Sequence, residues 1–159
     1  MKLISGGQTG ADRAALDVAI ELGMVYGGSI PKGRRAEDGL IDLERYPNLK
    51  ELDKGNYLAR TRKNVEDADA TLAFTDGVLT GGTRKTIEFA KEYGKPYLQI
   101  NLKKVSAEDA VNEIIEWLNI HKPRVLNVAG SRESGAPGIY LKVYGILKIV
   151  FQQVASQQR

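Results

Sequence analysis

The sequence contains no cysteine. That excludes disulfides, thiolate metal sites and a cysteine nucleophile. Its single histidine, His121, stands two residues before Pro123 near a helix end and reads as a surface residue, so no protein-bound metal site is expected. An excess of one charge is lacking too. Lys and Arg number 23 against 20 Asp and Glu, a net charge of +3, which is too small to argue for nucleic acid. No apolar run reaches the ~18 residues of a membrane span. The first residues run directly into a strand pattern, so the expectations are no signal peptide, no membrane and a cytoplasmic protein.

What is present is a globular balance, 42% apolar and 27% charged over 159 residues, enough for one domain spanning 1–159. Strand patterns at 2–7, 24–31, 69–76, 95–102 and 124–130 alternate with helical ones. The helix after the first strand carries an apolar stripe at Ala11, Ala15, Val18, Ala19 and Leu22 and stops at Gly23. Further helices are expected over 57–68, 81–94, 106–121 and 138–155, with Ser106 capping the fourth and Trp117, Ile114 and Leu118 in the core. Strand–helix alternation predicts an α/β fold: an open parallel sheet with helices on both faces, Rossmann-like. The polar stretch 32–56 reads as one long irregular loop, and such loops are functional or mobile. The last helix has two apolar stripes, Ile139, Val143, Ile146, Leu147, Val150 and Val154, and Tyr140, Leu141, Tyr144, Leu147 and Phe151. One sheet face buries one stripe. The second predicts a homo-oligomer, dimer or tetramer, unless neighbouring helices cover it.

The 17 glycines cluster. "LISGGQTGAD" (3–12), "TDGVLTGGTRKT" (75–86) and "AGSRESGAPGIY" (129–140) each follow a strand and open a helix. Ligands of open α/β sheets bind at such strand ends, and a helix start favours an anion. The pattern points to a phosphorylated small molecule. Gly6, Gly7, Gly10, Gly81, Gly82 and Gly130 would let the backbone approach it. Gln8, Thr9, Thr83, Thr86 and Ser131 would donate hydrogen bonds, and Arg84, Lys85 and Arg132 would offset charge. In "PKGRRAEDG", Lys32, Arg34 and Arg35 are further candidates, though a plain charged loop reads equally well. Thr9 and Asp12 have capping-box spacing, and a cap and a ligand role both remain open. Asp12 would repel a bare phosphate, so a ribose or pterin donor suits that turn better.

"ISGGQTGADRAALDVAIELG", "PKGRRAEDG", "GGTRKTIEFA" and "LNVAGSRES" together resemble the putative molybdenum carrier family, and the likeness runs through nearly the whole chain. That family is similar to the wider group of the LOG (lonely guy) phosphoribohydrolases, also called lysine-decarboxylase-like. The resemblance implies a carrier of molybdenum cofactor, a pterin with a terminal phosphate, or of a nucleotide. The alternative it implies is a nucleoside 5′-monophosphate phosphoribohydrolase, with Arg62 of "RTRK" and Glu88 of "GGTRKTIE" as the catalytic pair. Arg84 and Lys85 stand where that group has Gly-Thr, which favours binding over hydrolysis. The C-terminal "VLNVAGSRESGAPGIYLKVYG" resembles that group's first strand–loop–helix. This implies a circular permutation, with the fifth strand between the first and third in the order 2-1-5-3-4, so that all three glycine-rich turns line one crevice.

Overall fold

A computed structural model describes residues 1–79 and 81–157; Thr80, within the second glycine-rich turn, and the last two residues lie outside the described part. The elements, in chain order, are β1 (Lys2–Ile4), α1 (Ala11–Glu21), β2 (Tyr26–Ile30), β3 (Arg35–Ala36), β4 (Gly39–Leu40), β5 (Leu49–Glu51), α2 (Tyr57–Asp67), β6 (Ala70–Thr75), α3 (Gly81–Glu92), β7 (Tyr97–Asn101), α4 (Ala107–His121), β8 (Val125–Gly130) and α5 (Ile139–Gln157). A short 3₁₀ turn, Glu133–Gly135, precedes α5.

Six strands form a parallel sheet in the order β5-β2-β1-β8-β6-β7. The five expected strands stand as 2-1-5-3-4. The sixth, β5, is a correction: 32–56 is not one irregular loop. Leu49–Glu51 adds to the sheet edge beside β2, and β3 and β4 form a separate antiparallel ribbon. β8 is central. It pairs Leu126 with Leu3 on one side and with Ala70 on the other. β6 is buried at every position, as a strand covered on both faces must be.

Helices α1, α4 and α5 cover one face and α2 and α3 pack against each other on the other. Phe74, Leu72, Leu126, Leu3, Ile139 and Leu147 sit in the resulting core with almost no solvent contact. Trp117, Ile114 and Leu118 join it and His121 is exposed. Two side-chain caps fix helix starts. Ser106 accepts the Asp109 N–H at 3.1 Å, and Asn56 accepts those of Leu58 and Ala59.

The second stripe of α5 is mostly satisfied within the chain. α5 lies between α1 and α4; Leu147 and Phe151 are buried, and Tyr140 stacks on Tyr144 at 6.0 Å. Leu141 and Ile149 remain exposed, at 73% and 46%. The physical demand for a partner therefore shrinks to these two side chains.

Candidate functional site

Placing β8 between β1 and β6 brings the three glycine-rich turns together at the carboxyl ends of the strands. Backbone bonds stitch them. The Ser131 N–H reaches the Phe74 carbonyl at 3.0 Å, and the Ala11 N–H reaches the Ser131 carbonyl at 3.2 Å. The turns enclose a cavity of about 320 Å³, within the range of small-molecule sites. Its walls are Gly6, Gln8 and Asp12; Asp76, Val78, Gly81, Gly82, Thr83 and Thr86; and Asn127, Ala129, Gly130, Ser131, Arg132 and Gly135. A fourth wall comes from α2 through Tyr57, Arg60, Thr61 and Asn64.

Arg60 lies across the crevice floor, 8% exposed. Its guanidinium donates to the Gly6 carbonyl and lies 3.9 Å from the Asp12 carboxylate. This explains Gly6: a Cβ there would sit 2.5 Å from the Arg60 Nη1. Burial, only partly offset by Arg60 and by the Gln8 N–H, pushes the Asp12 carboxyl up to about 6. Burial also lowers the Arg60 guanidinium, which Asp12 partly restores. Asp12 Oδ2 accepts the Gln8 N–H at 3.2 Å, while among the described residues no donor reaches Oδ1. The crevice thus holds a buried cation beside a carboxyl that titrates near neutrality.

Opposite the pair, α3 begins at Gly81. The first N–H groups of a helix lack intrahelical partners, so Gly81, Gly82 and Thr83 present donors and the positive end of the dipole to the cavity. Gly82 has nothing within 4 Å of a notional Cβ. Gly82→Ala should leave the fold intact, stabilising α3 by up to ~1 kcal/mol, while weakening a phosphate that approaches that backbone. Denaturant unfolding and calorimetry with adenosine monophosphate check the two halves separately.

Ten of the anticipated binding residues line this cavity: Gly6, Gln8, Asp12, Gly81, Gly82, Thr83, Thr86, Gly130, Ser131 and Arg132. Others point elsewhere. Arg84 Nη2 donates to the Leu79 carbonyl at 2.9 Å, and Lys85 pairs with Glu88 at 3.0 Å on the exposed side of α3. Glu88 therefore faces away from the crevice. Arg62 pairs with Glu92 at 3.4 Å and lies 4.4 Å over the Phe89 ring. Residues two apart on a helix point about 200° apart, so the arginine that enters the crevice is Arg60. Gly7 packs against Ile41 and Ile30. Lys32 and Arg35 are exposed, and Arg34 donates to the Ile41 carbonyl at 3.4 Å. Thr9 and Gly10 line a neighbouring groove. The capping box does not form. Gly10 is the N-cap of α1 with no side-chain bond, and the Thr9 hydroxyl donates to Glu37. Asp76, Val78, Asn127, Ala129 and Gly135 were missed in the sequence, as were four residues of α2 that share one signal: Tyr57, Arg60, Thr61 and Asn64 fall at i, i+3, i+4 and i+7 and face the crevice.

A parallel sheet with its strand-end turns and a helix start converging on one crevice defines a Rossmann-like α/β protein with a crevice at the strand ends, where proteins of this class bind ligands. The chain belongs to the circularly permutated YpsA SLOG family, whose model matches residues 3–151. It is similar to a crystal structure from Syntrophus aciditrophicus SB, named as a putative molybdenum carrier protein. The two share 46% sequence identity and a TM-score of 0.90, over 94% of this chain and 93% of that one. No curated protein matches the chain. Membership of a permutated family agrees with the central position of the last strand.

Proposed function

We propose that the protein binds and carries a phosphorylated, nucleotide-like or pterin-type small molecule in the crevice at the strand ends. One observation carries the reading: the N-terminal turn of α3 lines the same 320 Å³ cavity as the buried Arg60 and Asp12. The phosphate belongs at Gly81, Gly82 and Thr83, with Arg132 at the rim. Asp12 Oδ1 suits a group that donates, either ribose hydroxyls or the ring N–H groups of a pterin or purine. Molybdenum cofactor, a pterin with a terminal phosphate, has both features, and the similar protein from Syntrophus is named as a putative molybdenum carrier. The donors present are oxygens, nitrogens and backbone amides; among the described residues no His, Cys, Asp and Glu group is placed to hold a metal.

Native mass spectrometry of the purified protein, with calorimetry against adenosine monophosphate and a phosphorylated pterin, tests this. A copurifying phosphorylated ligand, or micromolar binding that competes with phosphate, is expected. A protein that carries nothing and binds neither compound would sink the reading.

A second reading, a phosphoribohydrolase, is favoured by one observation. The Asp12 carboxyl lines the crevice beside Arg60, and burial pushes it up to about 6, closer than an ordinary carboxyl to the working pH of a general acid or base. Its pair is Asp12 and Arg60 rather than Glu88 and Arg62, which lie outside. Adenine released from adenosine monophosphate, and lost in Asp12→Asn, would establish the enzyme over the carrier.

A further inference from the structure

The turn of the β3–β4 ribbon, Glu37–Asp38, leans on the rim of the crevice. The Glu37 carboxylate gathers a full set of donors there. Oε1 accepts the Thr9 hydroxyl and the Ser134 N–H at 3.0 Å; Oε2 accepts the Ser134 hydroxyl and lies 3.7 Å from Arg132 Nε. These groups hold the Glu37 carboxyl below the usual carboxylate range, Ser134 most strongly, then Thr9, with Arg132 adding its charge. Two hydroxyls, an amide and a guanidinium directed at two anionic oxygens are also what a phosphoryl group requires.

The ribbon has little else to hold its tip. It consists of two residue pairs, Arg35 with Leu40 and Ala36 with Gly39. Glu37, Asp38 and Gly39 are exposed. Apart from the Glu37 carboxylate, the tip is tied by the Arg13 guanidinium, which donates to both Asp38 carboxylate oxygens, and by the Glu37 N–H to Gln8 Oε1 at 2.9 Å. Ala36 at the base of the turn is buried, and the tip beyond it carries no apolar side chain. Two of the residues involved, Gln8 and Arg132, also line the crevice, whereas Thr9, Glu37 and Ser134 line the wider groove beside it. Glu37 thus stands in the partition between two cavities. Ser134 follows Ser131 by three residues, so the two lie at most ~11 Å apart.

We propose that Thr9, Ser134 and Arg132 form a second anion site, which Glu37 fills in the free protein and a second phosphoryl group of the ligand takes over. The protein then selects a diphosphate over a monophosphate, and the ribbon is released as the ligand binds. This rests on the crevice reading above for where the rest of the ligand sits.

The experiment compares adenosine diphosphate and adenosine monophosphate by calorimetry, in wild type and in Glu37→Gln, with inorganic pyrophosphate as a probe that needs no base pocket. Glu37→Gln removes the competing charge but keeps an amide that can hydrogen-bond. It should strengthen diphosphate binding by about tenfold and leave monophosphate binding within about twofold, since a charge-assisted contact is worth at least that factor. In wild type, the diphosphate but not the monophosphate should speed hydrogen exchange at residues 35–40. A diphosphate to monophosphate ratio unchanged by Glu37→Gln, with monophosphate bound, overturns the second site alone. If neither nucleotide binds but pyrophosphate binds Glu37→Gln more tightly than wild type, the crevice reading falls and the second site stands. No binding of any probe overturns both.

Discussion

Arg60→Ala will cost about 3–5 kcal/mol of stability at pH 8 and distinctly less at pH 5, because it strips the counter-charge from a buried carboxylate. Arg60 and Asp12 are 8% and 7% exposed, so water cannot replace the lost partner. The Gly6 carbonyl loses its donor in the same step. Asp12 sets the pH dependence. Its carboxyl is raised in the fold from an ordinary 3.8 to about 6, so the folded state prefers it neutral. The stability that this neutral form contributes is full below about pH 4 and is lost as pH rises through about 6, a change of about 3 kcal/mol. Without Arg60 the carboxyl rises further, and the fall continues to higher pH. Urea unfolding of wild type and variant at pH 5 and pH 8 measures the difference. Equal losses at both values would show that Arg60 does not shield Asp12.

Gly10→Ala will cost about 4 kcal/mol or more, a large share of the stability of an ordinary domain. Gly10 has φ +79° and ψ −128°, a conformation that side-chain-bearing residues scarcely adopt. A Cβ there would lie 2.4 Å from the Ser131 carbonyl oxygen and 2.8 Å from the Glu133 nitrogen. Both neighbours are backbone, so neither can swing aside. The contact also neighbours the Ala11 to Ser131 bond that joins the first and third turns. The variant should be insoluble or unfold far below wild type in a thermal melt, while Gly82→Ala melts at or above it. A Gly10→Ala protein within ~1 kcal/mol of wild type would mean that the two turns can separate, and that the crevice is not built as described.

The five principal strands and five helices were legible because most bury an apolar run or stripe, and burial is what sequence patterns report; α2, whose buried residues are Arg60, Asn64 and Val65, is the exception. β3, β4 and β5 were not. They are two or three residues long and held by backbone bonds; Leu49 packs inward, but Lys50 and Glu51 are exposed and show no alternation. The site divides the same way. Glycines such as Gly6 and Gly10 declare a close approach whatever touches them. Long cations do not declare a direction. Lys85 had Glu88 one turn away and Arg84 had the Leu79 carbonyl, and each took the local partner. Arg60 reached the floor because of the face of α2 it occupies, which only the helix's docking on the sheet decides.

The central place of β8 sets the order in which the protein can be assembled. On a ribosome, β5, β2 and β1 can pair as one half-sheet, and β6 with β7 as another, but no strand pairing joins the halves until Val125–Gly130 emerges between them. Until then the inner edges of β1 and β6 stand open, and open edges recruit other chains. Closing them matches Leu3 with Leu126 across nearly the whole sequence, a contact whose loop closure slows folding. A nascent chain stalled before residue 125 therefore has neither a closed sheet nor a crevice.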